Sequence, residues 1–193
     1  VKNMSADEFK EKLINQTIQA VSRRGKYLVF HFDDYQLLSH LRMEGKYFYV
    51  DSDFELNPHV HVIFTLENGK RLLYQDTRKF GTYHLYDKAI DLETTAPFQV
   101  LGLEPFATEF TPSYVKEKIQ NKKKPIKSLL LDQTIVCGLG NIYVDEVLYR
   151  ARLHPLTSSS ELTDKDIENV VKYTVEVLAR AIELGGTTIR TFR

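Results

Sequence analysis

Residues 126–146 read Ile126-Lys127-Ser128-Leu129-Leu130-Leu131-Asp132-Gln133-Thr134-Ile135-Val136-Cys137-Gly138-Leu139-Gly140-Asn141-Ile142-Tyr143-Val144-Asp145-Glu146. Pro125 opens a helix running through Leu131, with Ile126, Leu129 and Leu130 on one side. Gly138-Leu139-Gly140-Asn141 interrupts that pattern, and residues 142–151 resume it. Glycines let the backbone turn tightly and expose N–H groups beside a helix N-terminus, which is the chemistry of an anion site. The same letters also spell a plain helix–helix turn with Asn141 as N-cap. Lys122-Lys123-Lys124 and Lys127 lie just upstream, and a phosphate backbone needs such a positive surface as well as fixed amide donors.

Working outward, Thr163 with Asp166 caps a long amphipathic helix that continues to Leu184, where Gly185-Gly186 stops it. Upstream, Thr111-Pro112 opens a helix to about Asn121. Before that the period changes. A capping-box pattern, Ser5 with Glu8, starts a short helix carrying Phe9 and Leu13. Residues 17–24, 27–32, 36–43 and 46–50 are then rich in β-branched and aromatic side chains, with breaks at Gly25, Asp33-Asp34 and Gly45. Residues 60–66 and 71–75 flank Asn68-Gly69, a strong hairpin signal, and residues 81–86 read as a further strand. So many short strands must bury their apolar faces against a second sheet. The expected fold is therefore α+β: an antiparallel β-sandwich over residues 1–95, a linker over 96–110 containing Pro97 and Pro105, and an all-α domain over 111–193.

Lysine plus arginine (26) balance aspartate plus glutamate (26), so no overall basic bias advertises a nucleic-acid partner. The distribution is uneven, however. Basic residues gather at Arg23, Arg24 and Lys26, at Arg78 and Lys79, across 116–127, and at Arg190 and Arg193. Acids gather over 51–55 and 161–168, and such segregation can give a neutral molecule one positive face. Cys137 is the only cysteine, which excludes an intrachain disulfide and a cysteine-rich zinc site and suits a cytoplasmic protein. No apolar run approaches the roughly 20 residues that cross a bilayer. A start at Val1-Lys2-Asn3-Met4 and an end just after Gly-Gly lead us to expect truncation at both ends.

Several segments share one resemblance. The 126–146 stretch, Ser22-Arg23-Arg24-Gly25-Lys26-Tyr27-Leu28, Ser39-His40-Leu41-Arg42-Met43-Glu44-Gly45, Asp76-Thr77-Arg78-Lys79-Phe80-Gly81, Leu101-Gly102-Leu103-Glu104-Pro105 and Gly185-Gly186-Thr187-Thr188-Ile189 together resemble formamidopyrimidine-DNA glycosylases, and the helical part resembles that family's helix–two-turn–helix unit. The resemblance implies an enzyme that removes oxidised purines from duplex DNA and cleaves the abasic site by β,δ-elimination. It implies that Lys26 is a proton donor in the elimination and that Met43, Arg78 and Phe80 enter the duplex when the damaged nucleotide flips out. It also makes His59 and Lys122 DNA contacts, Asn141 a grip on a backbone phosphate, and Lys127 its neighbour. Taken singly, Met43 and Phe80 read equally well as sandwich core, Lys26 as a surface lysine and His40 as a buried, hydrogen-bonded histidine. His59-Val60-His61 can be a strand edge or a metal-binding pair.

Further expectations follow from the resemblance. The partner is damaged double-stranded DNA, bound by a monomer in the bacterial cytoplasm at the nucleoid. Zinc belongs to a C-terminal finger of the intact parent, with no cofactor or metal in this chain. The family's N-terminal proline nucleophile and its glutamate are not found here, so the chain is expected to be catalytically inactive. Two alternatives are an endonuclease VIII-like glycosylase for oxidised pyrimidines and a non-catalytic nucleic-acid-binding module.

Overall fold

The computed structural model describes residues 1–186; Arg190, Arg193 and residues 187–189 of the last resembling segment lie outside the described residues. The chain divides into two compact units, Val1–Leu92 and Glu93–Arg193.

In the first unit, helix α1 (Ala6–Leu13) starts where the Ser5 hydroxyl accepts the Glu8 N–H, and it buries Phe9. Seven strands follow: β1 (Ala20–Arg24), β2 (Tyr27–His31), β3 (Tyr35–His40), β4 (Lys46–Val50), β5 (Val60–Thr65), β6 (Arg71–Gln75) and β7 (Thr82–Asp87). They form two antiparallel sheets, ordered β1-β2-β3-β7 and β4-β6-β5. Alternation along each strand sends Phe30, Leu37, Tyr83 and Leu85 of one sheet into the same core as Tyr47, Leu72 and Tyr74 of the other. Rings meet across it, Phe30 with Tyr47 at 5.2 Å and Tyr74 with Tyr83 at 5.4 Å between centroids. The hairpin at Asn68-Gly69 forms as its letters require: Gly69 takes φ +79° and the Asn68 side chain accepts the Lys70 N–H.

One boundary matters for function. The strand expected over 36–43 ends at His40, because Gly45 N–H returns to the Leu41 carbonyl at 3.0 Å and Arg42 turns left-handed at φ +55°. Met43 is thereby released from the sheet into a turn.

The helical unit contains α2 (Pro112–Ile119), α3 (Ile126–Leu130), α4 (Asn141–Ala151) and α5 (Asp164–Glu183). Thr111 caps α2, and Thr163 with Asp166 forms a reciprocal capping box on α5. Their apolar faces meet in one core containing Val115, Ile119, Ile126, Leu130, Val144, Val147, Leu148, Ile167 and Val170. Between α3 and α4 the chain makes its turns around Gln133. That side chain donates to the carbonyls of Leu131 and Leu139 and accepts the Gly138 N–H at 2.9 Å, which ties both ends of the segment to one amide group. Leu103 bridges Val136 in parallel, and Gly102 passes so close to the Ile135 carbonyl that a Cβ there would overlap it. Residues 101–103, within the stretch read as linker, are thus packed on the helical unit. The architecture is α+β, antiparallel sheets followed by helices.

Candidate nucleic-acid interface

On the β-unit, Asp76 builds the loop that follows β6. Its carboxylate accepts the Gly81 N–H at 2.8 Å, the Arg78 N–H at 3.1 Å and the Tyr74 hydroxyl at 3.1 Å, while its carbonyl receives His61 Nε2 at 2.9 Å. Burial alone would raise the Asp76 pKa, but the donations from Gly81, Arg78, Tyr74 and Lys79 outweigh it and hold the carboxyl below its usual range. With its base so fixed, the loop presents Arg78 and Phe80 outward. The Arg78 guanidinium lies 4.7 Å from the Phe80 ring centre and 3.1 Å from the Met43 sulfur. Phe80 is 52% exposed and Met43 68%, so neither belongs to the sandwich core. Three side chains named by sequence, one of them 35 residues from its partner, form a single exposed cluster.

His59 sits beside that loop, its carbonyl accepting the Asp76 N–H at 2.9 Å and its side chain exposed. His61, at a bulge between Val60 and Val62, places its Nε2 2.9 Å from the Asp76 carbonyl. Among the described residues no group of three or more His, Cys, Asp or Glu could hold a metal ion.

Lys26 occupies the β1–β2 hairpin turn next to Gly25, whose φ of +57° suits a two-residue turn. Desolvation, then the positive charge of Arg42, lowers the Lys26 pKa from 10.5. The same surroundings act on His40, which stands edge-on to Tyr27 at 4.6 Å and accepts the Arg42 N–H on Nδ1 at 3.0 Å. Burial, then Arg42 and Lys26, brings the His40 pKa from 6.5 to about 4. Since the folded value lies below the unfolded one, the stability tied to neutral His40 is complete above pH 6.5 and is lost as pH falls through 4. Urea unfolding at pH 7 and pH 4.5 is expected to show about 2 kcal/mol more acid destabilisation in the parent than in His40→Gln, a figure discounted for the partial exposure of the ring. Equal pH slopes would refute it.

On the helical unit, Asn141 is not the N-cap that the plain-turn reading of Gly138-Leu139-Gly140-Asn141 made it. Gly140 is the N-cap of α4 in an extended conformation and has no side-chain capping bond, while Asn141 is the first helical residue. The first-turn amides therefore lack a side-chain partner, and the exposed Asn141 amide makes no hydrogen bond among the described residues. Lys122, Lys123 and Lys124 are exposed, and Lys122 and Lys124 help to lower the Asp132 pKa, after its hydrogen bonds from Thr134. Lys127 differs: its ammonium is 2.7 Å from Asp145, so part of its charge is already compensated.

The sequence alone gave no individual role to Tyr74, Asp76, Gln133 or Gly81. An Asp two residues before Arg78 is the signature of an Asx turn and could have marked Asp76. No local signal marks Tyr74.

The description "Formamidopyrimidine-DNA glycosylase N-terminal domain" matches residues 1–83, and "Formamidopyrimidine-DNA glycosylase H2TH domain" matches residues 101–193. The formamidopyrimidine-DNA glycosylases of Bacillus licheniformis and Bacillus subtilis are each 47% identical over 186 residues, 96% of this chain and 67% of theirs. Among solved structures, Lactococcus lactis Fpg in complex with abasic-site DNA aligns with a TM-score of 0.88 at 41% identity, over 95% of this chain and 67% of that one. An inhibited complex of the same protein with N7-benzyl-Fapy-dG DNA aligns with a TM-score of 0.90 at 40% identity, over 98% and 70%. The match to the N-terminal domain begins at residue 1, and Lys2 and Asn3 already bond to β7 through the carbonyls of Tyr83 and Leu85. This overturns the expectation that the chain lacks the nucleophile-bearing part of that domain and is inactive. The ordered match of both domains likewise sets aside a freestanding binding module. With sheets, helical turn and both domain matches in agreement, the chain belongs to the formamidopyrimidine-DNA glycosylase family, whose members are DNA glycosylases and AP lyases.

Proposed function

We propose that this chain recognises oxidised purines in duplex DNA for base-excision repair, with residues 1–95 meeting the lesion, 111–193 holding the backbone and 96–110 joining them. The observation that carries the reading is the exposed Met43–Arg78–Phe80 cluster. Methionine and phenylalanine can fill a stack and wedge between bases, and a guanidinium can hydrogen-bond a cytosine left without its partner. Asn141 and the first-turn amides of α4 grip a phosphate, Lys122 and Lys127 neutralise its neighbours, and His59 adds a contact beside the probe loop. Lys26, with its lowered pKa, is the proton donor of the elimination step. The relatives' complexes with abasic-site and Fapy-dG DNA support this assignment.

A four-cysteine zinc finger of the kind expected for the intact parent does not fit the residues present, since the sole cysteine, Cys137, is buried in the helical unit. No step is assigned to zinc here. The curated relatives are bacterial, and no helix among the described residues is long and apolar enough to cross a membrane. Duplex binding would place the protein at the nucleoid.

Fluorescence anisotropy with matched duplexes tests the proposal. Binding to an oxoguanine–cytosine duplex should exceed binding to the undamaged duplex by about 10-fold or more, and should weaken steeply between 50 and 200 mM salt. Asn141→Ala should cost about 10-fold on every duplex, because a phosphate contact carries no sequence information. Equal affinity for damaged and undamaged duplexes, or a preference for an oxidised pyrimidine, would overturn the reading.

A further inference from the structure

The turns that carry the probe cluster come from different parts of the β-unit, Met43 between β3 and β4, Arg78 and Phe80 between β6 and β7. Something must hold them at a fixed spacing, and one hydroxyl lies against both. A Cβ added to Gly45, at the base of the Met43 turn, would stand 2.7 Å from the Tyr74 hydroxyl, and a Cβ added to Gly81, at the end of the Arg78–Phe80 loop, would overlap it. Tyr74 is 5% exposed, and its ring is held between Tyr47 at 5.3 Å and Tyr83 at 5.4 Å. Those two rings are fixed in turn, their hydroxyls 2.7 Å apart and Tyr47 donating to Ser39 at 2.8 Å. From this rigid stack Tyr74 donates to Asp76, whose carboxylate gathers the Arg78 and Gly81 amides.

We propose that Tyr74 and Asp76 are positioning residues for opposite-base recognition: the buried tyrosine hydroxyl sets the spacing between the Met43 turn and the Arg78–Phe80 loop, and through it the angle at which Arg78 meets the base opposite the lesion. The inference rests on the proposed role of Arg78. Neither residue touches DNA in this scheme. Tyr74→Phe keeps the ring in the stack and removes only the hydroxyl. Asp76→Asn keeps the shape and turns one acceptor into a donor facing N–H groups, so the loop loses part of its anchor.

The measurement is the ratio of affinities of this chain for two duplexes that carry an abasic-site analogue opposite cytosine or opposite adenine, with thermal melting and near-ultraviolet circular dichroism as fold controls. Loss of folded protein lowers both affinities equally and leaves the ratio unchanged. Misplacement of Arg78 flattens it. Tyr74→Phe should reduce the cytosine-to-adenine ratio about 5-fold while melting close to the parent. Asp76→Asn should flatten the ratio further; if it does not fold, Tyr74→Phe alone decides. Arg78→Ala separates the possible failures. A ratio flattened by Arg78→Ala but untouched by Tyr74→Phe overturns the positioning role and leaves the cluster's function standing. A ratio untouched by Arg78→Ala overturns the role of the cluster and the inference with it.

Discussion

Arg78→Ala is expected to weaken binding to an abasic-site duplex opposite cytosine by about 10- to 100-fold, with much less change opposite adenine. The guanidinium is the only group of the exposed cluster able to donate two parallel hydrogen bonds, while its neighbours Met43 and Phe80 are apolar. Removing it leaves a wedge that can still enter the stack but cannot read what it finds. A uniform loss on both duplexes would show that Arg78 acts only as a positive charge, which Arg78→Lys would then restore. Salt dependence gives a second check. A base-reading arginine changes the slope of affinity against salt little, whereas a phosphate-neutralising one lowers it by about one.

Gly81→Ala is expected to be the most damaging small substitution in the β-unit. The new methyl group would occupy the position of the Tyr74 hydroxyl and approach the Asp76 carboxylate at 3.2 Å. Tyr74 cannot swing aside, because Tyr47 and Tyr83 enclose its ring. The Asp76 carboxylate would then lose one or more of its bonds while still buried, so overpacking and an unsatisfied polar group act together. A loss of about 3–4 kcal/mol in urea unfolding is expected, together with loss of damage-specific binding. The double variant Gly81→Ala with Tyr74→Phe should recover part of the stability, since removing the hydroxyl makes room for the methyl. Gly81→Ala that unfolds like the parent would disprove the close approach.

Local chemistry made much of the architecture legible. Ser5, Thr111 and Thr163 cap helices because a hydroxyl at that position satisfies an otherwise unpaired amide, whatever the rest of the chain does. Gly69 takes a left-handed turn for an equally local reason. The errors occur where a tertiary contact competes with pattern. Residues 36–43 read as one strand, yet the ladder stops at His40, because a Cβ-free Gly45 lets the turn close against Leu41 and Tyr74. Asn141 has the chemistry of an N-cap, yet Gly140 takes that place because the Gln133 side chain sets the path of the preceding turn.

By itself, the sequence determined that antiparallel strands precede helices, where most elements begin and end, and that a Gly-rich turn separates α3 from α4. Each of these depends on interactions within a few residues. Only the tertiary structure decided that Met43, Arg78 and Phe80 meet on one surface, that His61 is tied to the Asp76 carbonyl, and that Lys127 pairs with Asp145. Those outcomes depend on side chains brought together across sheets and between helices, above all the Tyr74 hydroxyl, whose place is set by the packing of rings from three other strands.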